Sequence, residues 1–365
     1  MKLRWNILGF VDVLHRDPAR SDCHPDIYIF MKSTCLLRFR AVTFLCLTIV
    51  PAPAEDKKPG KASPERTTDK VEFIIGPDYA DAPELAVKPG APLGTVHEFV
   101  MKSTDSKIYP GIAKNQPGTV PYERKVAVYI PKQYRNGQEA PFLVAQDGMG
   151  YRGYLPTILD NLIAKRRVPP LIAIMINSGG GDSKGSQRGL EYDTVSGTYS
   201  DFIETEVLPK ISADYKVKFT RDPEGRATMG GSSGGAAAFT MAWFHPERYR
   251  RVLTYSGTYV DQQSPENPES PNGAWEYHEK LIAGTDRKPL RLWLHVSEND
   301  NGSKLDEASH HNWVMANQRM AAALKAKSYP YRYVFAEAAG HTDGRVTKQT
   351  LPGALEWLWE GYKAK

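Results

Sequence analysis

Three observations predict an α/β fold, a mostly parallel central sheet with helices on both faces and an antiparallel N-terminal edge. Apolar runs of strand length alternate with amphipathic runs of helix length, the pattern of βαβ units. Several of the strand runs are almost uniformly apolar, as strands covered on both faces are. The first two runs alternate instead, like strands of an antiparallel edge. Structure is expected to begin near Gly94, with Thr95–Met101 and Lys125–Pro131 as the alternating pair. Pro141–Gln146 and Leu171–Ile176 are the first apolar strands, and a helix over Leu155–Lys165 lies between them. Tyr199–Asp214 spaces Phe202, Ile203, Val207 and Ile211 along one helical face, with Pro209 placed to bend it. Arg251–Ser256, Leu290–Val296 and Tyr331–Phe335 complete the strands, and His310–Lys327 and Gln349–Tyr362 the helices.

Composition narrows the class. Of 365 residues, 41% are hydrophobic and 24% charged, ordinary values for a soluble globular chain. The formal charge is +5; residues 1–54 hold seven Lys/Arg and four Asp/Glu, which leaves the remainder near neutral at +2. Such a balance provides no electrostatic case for nucleic acid. Residues 1–30 read as an upstream extension, with translation starting at Met31. Lys32, Arg38 and Arg40 then precede the apolar run Ala41–Val50, and Pro51-Ala52-Pro53-Ala54 follows. A basic segment, about ten apolar residues and an Ala-x-Ala end describe a signal peptide over 31–54, cleaved after Ala54. The expected location is secreted or periplasmic, with no membrane span after processing. All three cysteines (Cys23, Cys35 and Cys46) lie in this leader, so the processed chain has no thiol chemistry. Residues 55–93, rich in Pro, Lys, Glu and Asp, read as a linker, and 94–365 as the catalytic domain.

The chemistry is concentrated at Met229–Phe239, MGGSSGGAAAF, between a strand-like run and a helix-forming one. Strand, glycine turn, serine and helix make a nucleophile elbow: the strained turn pushes a hydroxyl into the site and points a helix N-terminus at it. G-x-S-x-G fits with Ser232 or with Ser233 at its centre; G-x-S-x-G-G favours Ser232. Two later loops, each following a strand, carry an acid and a histidine. Ser297–Gly302 holds Asp300, with Glu298 and Asp306 as rivals, and Ala338–Gly344 holds His341, with His310 and His311 as rivals near a helix. Serine, acid, histidine is the chain order of α/β-hydrolases. His341 is then the general base and Asp300 the group that holds its tautomer. The oxyanion hole needs the amide of Ser233 and one from the loop after Gln146, Met149 or Gly148. No H-E-x-x-H is present, the acidic loop lacks both end ligands of a calcium loop, and no G-x-G-x-x-G follows an early strand, so neither metal nor nicotinamide cofactor is expected.

Six segments carry a family resemblance: VAQDG (144–148), RGLEYD (188–193), DPEGRATMGGSSGG (222–235), HPERYRRVLTYSG (245–257), HNWVMANQRMAAAL (311–324) and AGHTDG (339–344). With them the chain from Gly94 resembles the Putative esterase family of α/β-hydrolases, which includes enterochelin esterase, esterase D and the feruloyl and acetylxylan esterases. The resemblance implies a Ser-Asp-His hydrolase without cofactor, supports Ser232 over Ser233, and agrees with Asp300 as the acid. It implies a small-molecule or polysaccharide-linked ester as substrate: carbohydrate-linked or phenolic, or a siderophore lactone. A non-catalytic binder of the same fold is the alternative of a different class. Residues 257–288 read as a lid whose Trp275 and Tyr277 either stack on a substrate ring or pin the segment to the core. Arg188 is a substrate-binding candidate; Arg152 and Arg251 are further cations of unknown direction. Oligomeric state has no signature in the sequence.

Overall fold

A computed structural model describes residues 71–112, 118–182 and 184–363. The upstream extension, the signal peptide and the first part of the linker, along with all three cysteines, lie outside the described residues. The chain forms β1 (Glu72–Ile75), β2 (Thr95–Lys102), β3 (Glu123–Ile130), β4 (Glu139–Ala140), β5 (Phe142–Gln146), α1 (Leu155–Ala164) and β6 (Ile172–Ile176). It continues with α2 (Gln187–Tyr192), α3 (Thr198–Phe202), α4 (Leu208–Tyr215), β7 (Lys218–Phe219), β8 (Arg226–Gly231), α5 (Ser233–Phe244) and β9 (Arg251–Tyr255). Last come α6 (Ile282–Gly284), β10 (Arg291–Asn299), α7 (Trp313–Ala326), β11 (Tyr331–Gly340) and α8 (Gly344–Trp359).

Nine strands form one sheet in the order β1-β11-β10-β9-β8-β5-β6-β3-β2. β2 pairs antiparallel with β3, and β3 with β6; the other pairings are parallel. This is the doubly covered sheet with an antiparallel edge that the strand patterns predict. Side chains alternate between two cores at the strand period of two. Val126, Val128, Ile172, Ile174 and Ile176 pack with α5 and α7, where Phe239, Trp313 and Met320 lie. Ala127, Tyr129, Ala173 and Met175 face α1 and α8, against Leu155, Leu159, Leu351 and Leu355. Burial on both faces is why these strands are apolar at nearly every position.

The start of the fold is a correction. Residues 71–93 are not a linker: β1 adds to the sheet edge parallel to β11, pairing Phe73 with Val334 and Ile75 with Ala336. Glu72 accepts a hydrogen bond from Tyr331 Oη at 2.6 Å. Further along, Asn161 Nδ2 on α1 donates to the carbonyls of Glu84 at 2.8 Å and Ala86 at 2.9 Å, and buried Glu84 pairs with Arg167. Four strand residues in polar surroundings, with a partner some 260 positions away, leave no local periodicity to read. The Tyr199–Asp214 helix is also interrupted: a π-helical turn at Ile203–Val207 separates α3 from α4, immediately before Pro209. A proline ring cannot accommodate the carbonyl four residues back, and the wider turn relieves that clash.

Candidate active site

The site lies where β8, β9, β10 and β11 end. Between β8 and α5 the backbone turns at Ser232, with φ 56° and ψ −131°, a strained conformation for a residue bearing a side chain. The turn closes only with glycine at its base: a Cβ on Gly230 would lie 2.4 Å from the Gly234 backbone. The Ser232 N–H donates to Tyr255 O at 2.9 Å, so the turn is pinned to the end of β9. Ser232 Oγ thereby faces His341, whose Nε2 is 2.8 Å away. On the other side of the ring, Nδ1 is 2.5 Å from Asp300 Oδ1.

Asp300 is 3% exposed and sits just past a register shift in β10 between Ser297 and Asn299. Burial favours its neutral form, but hydrogen bonds from His341 and the Asn301 amide, together with the neighbouring Ser256 hydroxyl, hold its pKa below the usual carboxylate value. The Asn301 N–H donates at 2.9 Å and the Ser297 N–H at 3.3 Å. A carboxylate fixed in its charged form keeps the Nδ1 proton on the imidazole, which leaves Nε2 as an acceptor facing Ser232. Behind this pair His295 is fully buried, and burial lowers its pKa to about 4, so it is a neutral neighbour.

The rival residues have other partners. Glu298 Oε2 accepts from the Ala338 N–H at 2.7 Å, and Asp306 Oδ1 from the Ser309 N–H at 3.2 Å. His311 Nδ1 lies 2.9 Å from Ser309 O, and His310 stacks on Trp275. The Ser233 hydroxyl is buried on the far side of the elbow, 3.4 Å from Gln262 Nε2, which also donates to Asp193 Oδ2 at 3.0 Å.

The Ser233 amide is at the first position of α5, where helix N–H groups lack intrahelical acceptors. The Met149 N–H is engaged by Asn177 Oδ1 at 3.1 Å. Gly148 is buried against β6, where a Cβ would lie 2.2 Å from Met175 C, so packing alone accounts for glycine there. An incoming carbonyl oxygen has to replace Asn177 before this loop can donate to it.

Beside Ser232 and His341 opens a cleft of about 600 Å³ lined by Asp147, Tyr151, Tyr154, Asp182, Arg188, Tyr255, Thr342 and Thr347. Arg188 lines this cleft. It is not a free cation: Nη2 pairs with Asp147 Oδ2 at 2.7 Å and Nη1 with Asp182 Oδ1 at 2.6 Å. Arg152 pairs with Glu98, and Arg251 with Glu224; neither lines the cleft.

Trp275 and Tyr277 are corrections. Both are fully buried and absent from the cleft lining. Trp275 stacks on His310 at 4.9 Å, and Tyr277 Oη hydrogen-bonds Thr240 Oγ1 at 2.8 Å with its ring edge-on to Phe239. They pin the 257–288 segment to the core, the second of the two readings: Tyr277 packs on Phe239 and Trp243 of α5, and Trp275 lies between His278 and His310 with the Arg319 guanidinium of α7 over its ring. Sequence reasoning missed Ser256, Thr258 and Trp313. Thr258 Oγ1 lies 3.4 Å from Ser232 Oγ, and the Trp313 ring stands edge-on to His341 at 6.0 Å. The only signal was the place of Ser256 and Trp313 in two of the motif segments, YSG and HNW; Thr258 lies one residue beyond the first.

No helix among the described residues is long and apolar enough to cross a membrane. Comparison with known proteins agrees with the architecture. The family described as Putative esterase matches residues 118–358. Protein YbbA of Bacillus subtilis, whose description assigns no activity, is 22% identical over 249 residues, 65% of this chain and 92% of its own. Among solved structures, the enterobactin esterase of Shigella flexneri with enterobactin superposes with a TM-score of 0.53 at 21% identity, over 74% of this chain and 60% of that one. A ferulic acid esterase superposes with a TM-score of 0.54 at 17% identity, over 74% of this chain and 99% of that one. The chain spans about three fifths of the enterobactin esterases it matches, and identities this low speak for the fold alone. With two thirds of its length matched by the family, the chain belongs to this esterase family and has the α/β-hydrolase fold.

Proposed function

We propose that the protein hydrolyses carboxylic esters with Ser232 as nucleophile, His341 as general base and Asp300 as the acid that orients it. The reading rests on one observation, the continuous relay from Asp300 Oδ1 through both imidazole nitrogens to Ser232 Oγ, at 2.5 and 2.8 Å. His341 Nε2 takes the Ser232 proton as Oγ attacks the ester carbon, and the imidazolium formed is stabilised by Asp300. The oxyanion is received by the Ser233 amide and, once Asn177 yields, by the Met149 amide. Collapse of the intermediate passes the proton from Nε2 to the leaving alcohol. Water, activated by the same nitrogen, then releases the acid and restores Ser232.

The substrate reading is a neutral, hydroxyl-bearing ester, acetyl or feruloyl on a carbohydrate, rather than a polyanionic siderophore. What favours it is the pairing of Arg188 with two carboxylates: the charged groups named in the cleft lining then sum to one negative charge, with Asp147 and Asp182 as hydrogen-bond acceptors. Carboxylates accept from sugar or phenolic hydroxyls and repel catecholate anions. The test is kcat/KM on acetylated and feruloylated xylo-oligosaccharides beside a triscatecholate lactone. The neutral esters are expected to be preferred, and Asp182→Asn to narrow the gap. A preference for the lactone contradicts the reading. The leader pattern ending at Ala54 supports export; N-terminal sequencing of the secreted protein is expected to begin at Glu55, and an intact leader on exported protein contradicts it.

A further inference from the structure

Around Ser232 the hydrogen-bonding groups form a longer chain than the three residues of the relay. The Trp313 Nε1–H donates to Thr258 Oγ1 at 3.3 Å, and Thr258 Oγ1 is 3.4 Å from Ser232 Oγ. Thr258 is fully buried, and Trp313 is 7% exposed. Both are rigidly held: the Thr258 N–H donates to Ser232 O at 3.0 Å, and Asn317 Nδ2 on α7 donates to Gly257 O at 2.9 Å.

The chemistry of the two ends fixes the direction of every proton between them. An indole N–H can only donate. It occupies one lone pair of Thr258 Oγ1, and because the Ser232 hydrogen is committed to His341 Nε2, the hydrogen between the two hydroxyl oxygens is that of Thr258. At the opposite end an ionised carboxylate can only accept. Asp300 therefore takes the Nδ1–H of His341, and Nε2 is left as the acceptor for the single hydrogen of Ser232. A pure donor and a pure acceptor bound the chain, and each hydroxyl between them has one orientation.

We propose that Thr258, oriented by Trp313, is a further catalytic residue that donates a hydrogen bond to the nucleophile oxygen of Ser232. The proposal rests on the reading of Ser232 as nucleophile. When the Ser232 proton moves to His341 Nε2, the Thr258 hydrogen bears on an oxygen gaining negative charge, and the bond strengthens as charge develops. The same donor assists when the acyl group departs and Oγ again leaves carbon as an incipient alkoxide. Without it the Ser232 hydroxyl is free to rotate towards other acceptors, and part of the ground state is unproductive. No atom beyond those of the ester hydrolysis is gained or lost.

Three variants test this: Thr258→Val, which keeps shape and removes the hydroxyl; Thr258→Ser, which restores it; and Trp313→Phe, which removes the orienting donor together with part of the ring. Thr258→Val is expected to lower kcat about 10-fold, as for loss of one charge-assisted hydrogen bond, with KM within about twofold of wild type. Thr258→Ser should recover most of that loss. Trp313→Phe should lower kcat about threefold alone and add nothing in the Thr258→Val background, because the two act through one bond. Full kcat in Thr258→Val, or equal losses in the Val and Ser variants, overturns the proposal, as does an additive double variant. If Thr258→Val does not fold, Trp313→Phe decides: a kcat loss with KM unchanged supports the role, and wild-type kcat overturns it. Ser232→Ala is the control that separates the two claims. An active Ser232→Ala enzyme removes the nucleophile reading and this proposal together, whereas an inactive one beside a fully active Thr258→Val removes only the role of Thr258.

Discussion

Replacing Asp193 with asparagine should make the protein more stable, and by an amount that grows with pH. Asp193 is 3% exposed, its Oδ1 has no hydrogen-bond partner, and Oδ2 accepts one bond, from Gln262 Nε2. Burial raises its pKa to about 7, and the Ser233 hydroxyl, the Gln262 amide and Arg188 only partly offset this. In the unfolded chain an aspartate titrates near ~3.9. The folded state thus holds the proton more tightly, so the stability it contributes is complete below the unfolded pKa and is lost as pH rises through about 7. At ~1.4 kcal/mol per unit, a few kcal/mol is lost by pH 8, more than half of it between pH 5 and pH 8. Asparagine keeps the shape and never ionises. Urea denaturation of both proteins at pH 5 and pH 8 measures the difference, and groups common to both cancel. The gain of Asp193→Asn over wild type should widen by about 2–3 kcal/mol from pH 5 to pH 8. Parallel stability profiles would refute a buried carboxyl that is neutral below pH 7.

Other consequences concern burial and protonation. Trp275→Ala should cost about 3–5 kcal/mol of stability, as truncation of a fully buried indole does, with KM for a short ester within about twofold; a tenfold KM increase at unchanged Tm would return Trp275 to the substrate site. Burial lowers His278 and His295 to about 4, so the stability they contribute is present above ~6.5 and lost as pH falls through about 4. In the Asp193→Asn background, the urea midpoint should fall steadily between pH 6.5 and pH 4.5, and a flat midpoint there contradicts the neutral burial of these rings.

How much of this was legible in the sequence depended on whether the signal was local. The elbow was legible because the turn's tightest demand is local, Gly230 against the Gly234 backbone four residues on. Asp300 and His341 were legible because strands ending at one rim of a parallel sheet put their following loops together. β1 was not, since the strand it pairs with, β11, is at the far end of the chain. Trp275 and Tyr277 have the composition of a ring-stacking lid and of a core plug alike, and only their packing, on His310 and on Phe239, distinguishes them. Met149 shows the same limit at the level of one hydrogen bond. Its position after β5 was read correctly, but the acceptor that occupies its amide, Asn177, comes from the end of β6.

The most direct measurement of the central claim is the turnover of a 4-nitrophenyl ester by Ser232→Ala beside the wild-type enzyme. If Ser232, His341 and Asp300 act as one unit, kcat should fall by about 10⁴-fold or more with the fold intact. A variant that turns over at the wild-type rate would contradict the assignment of Ser232 as the nucleophile.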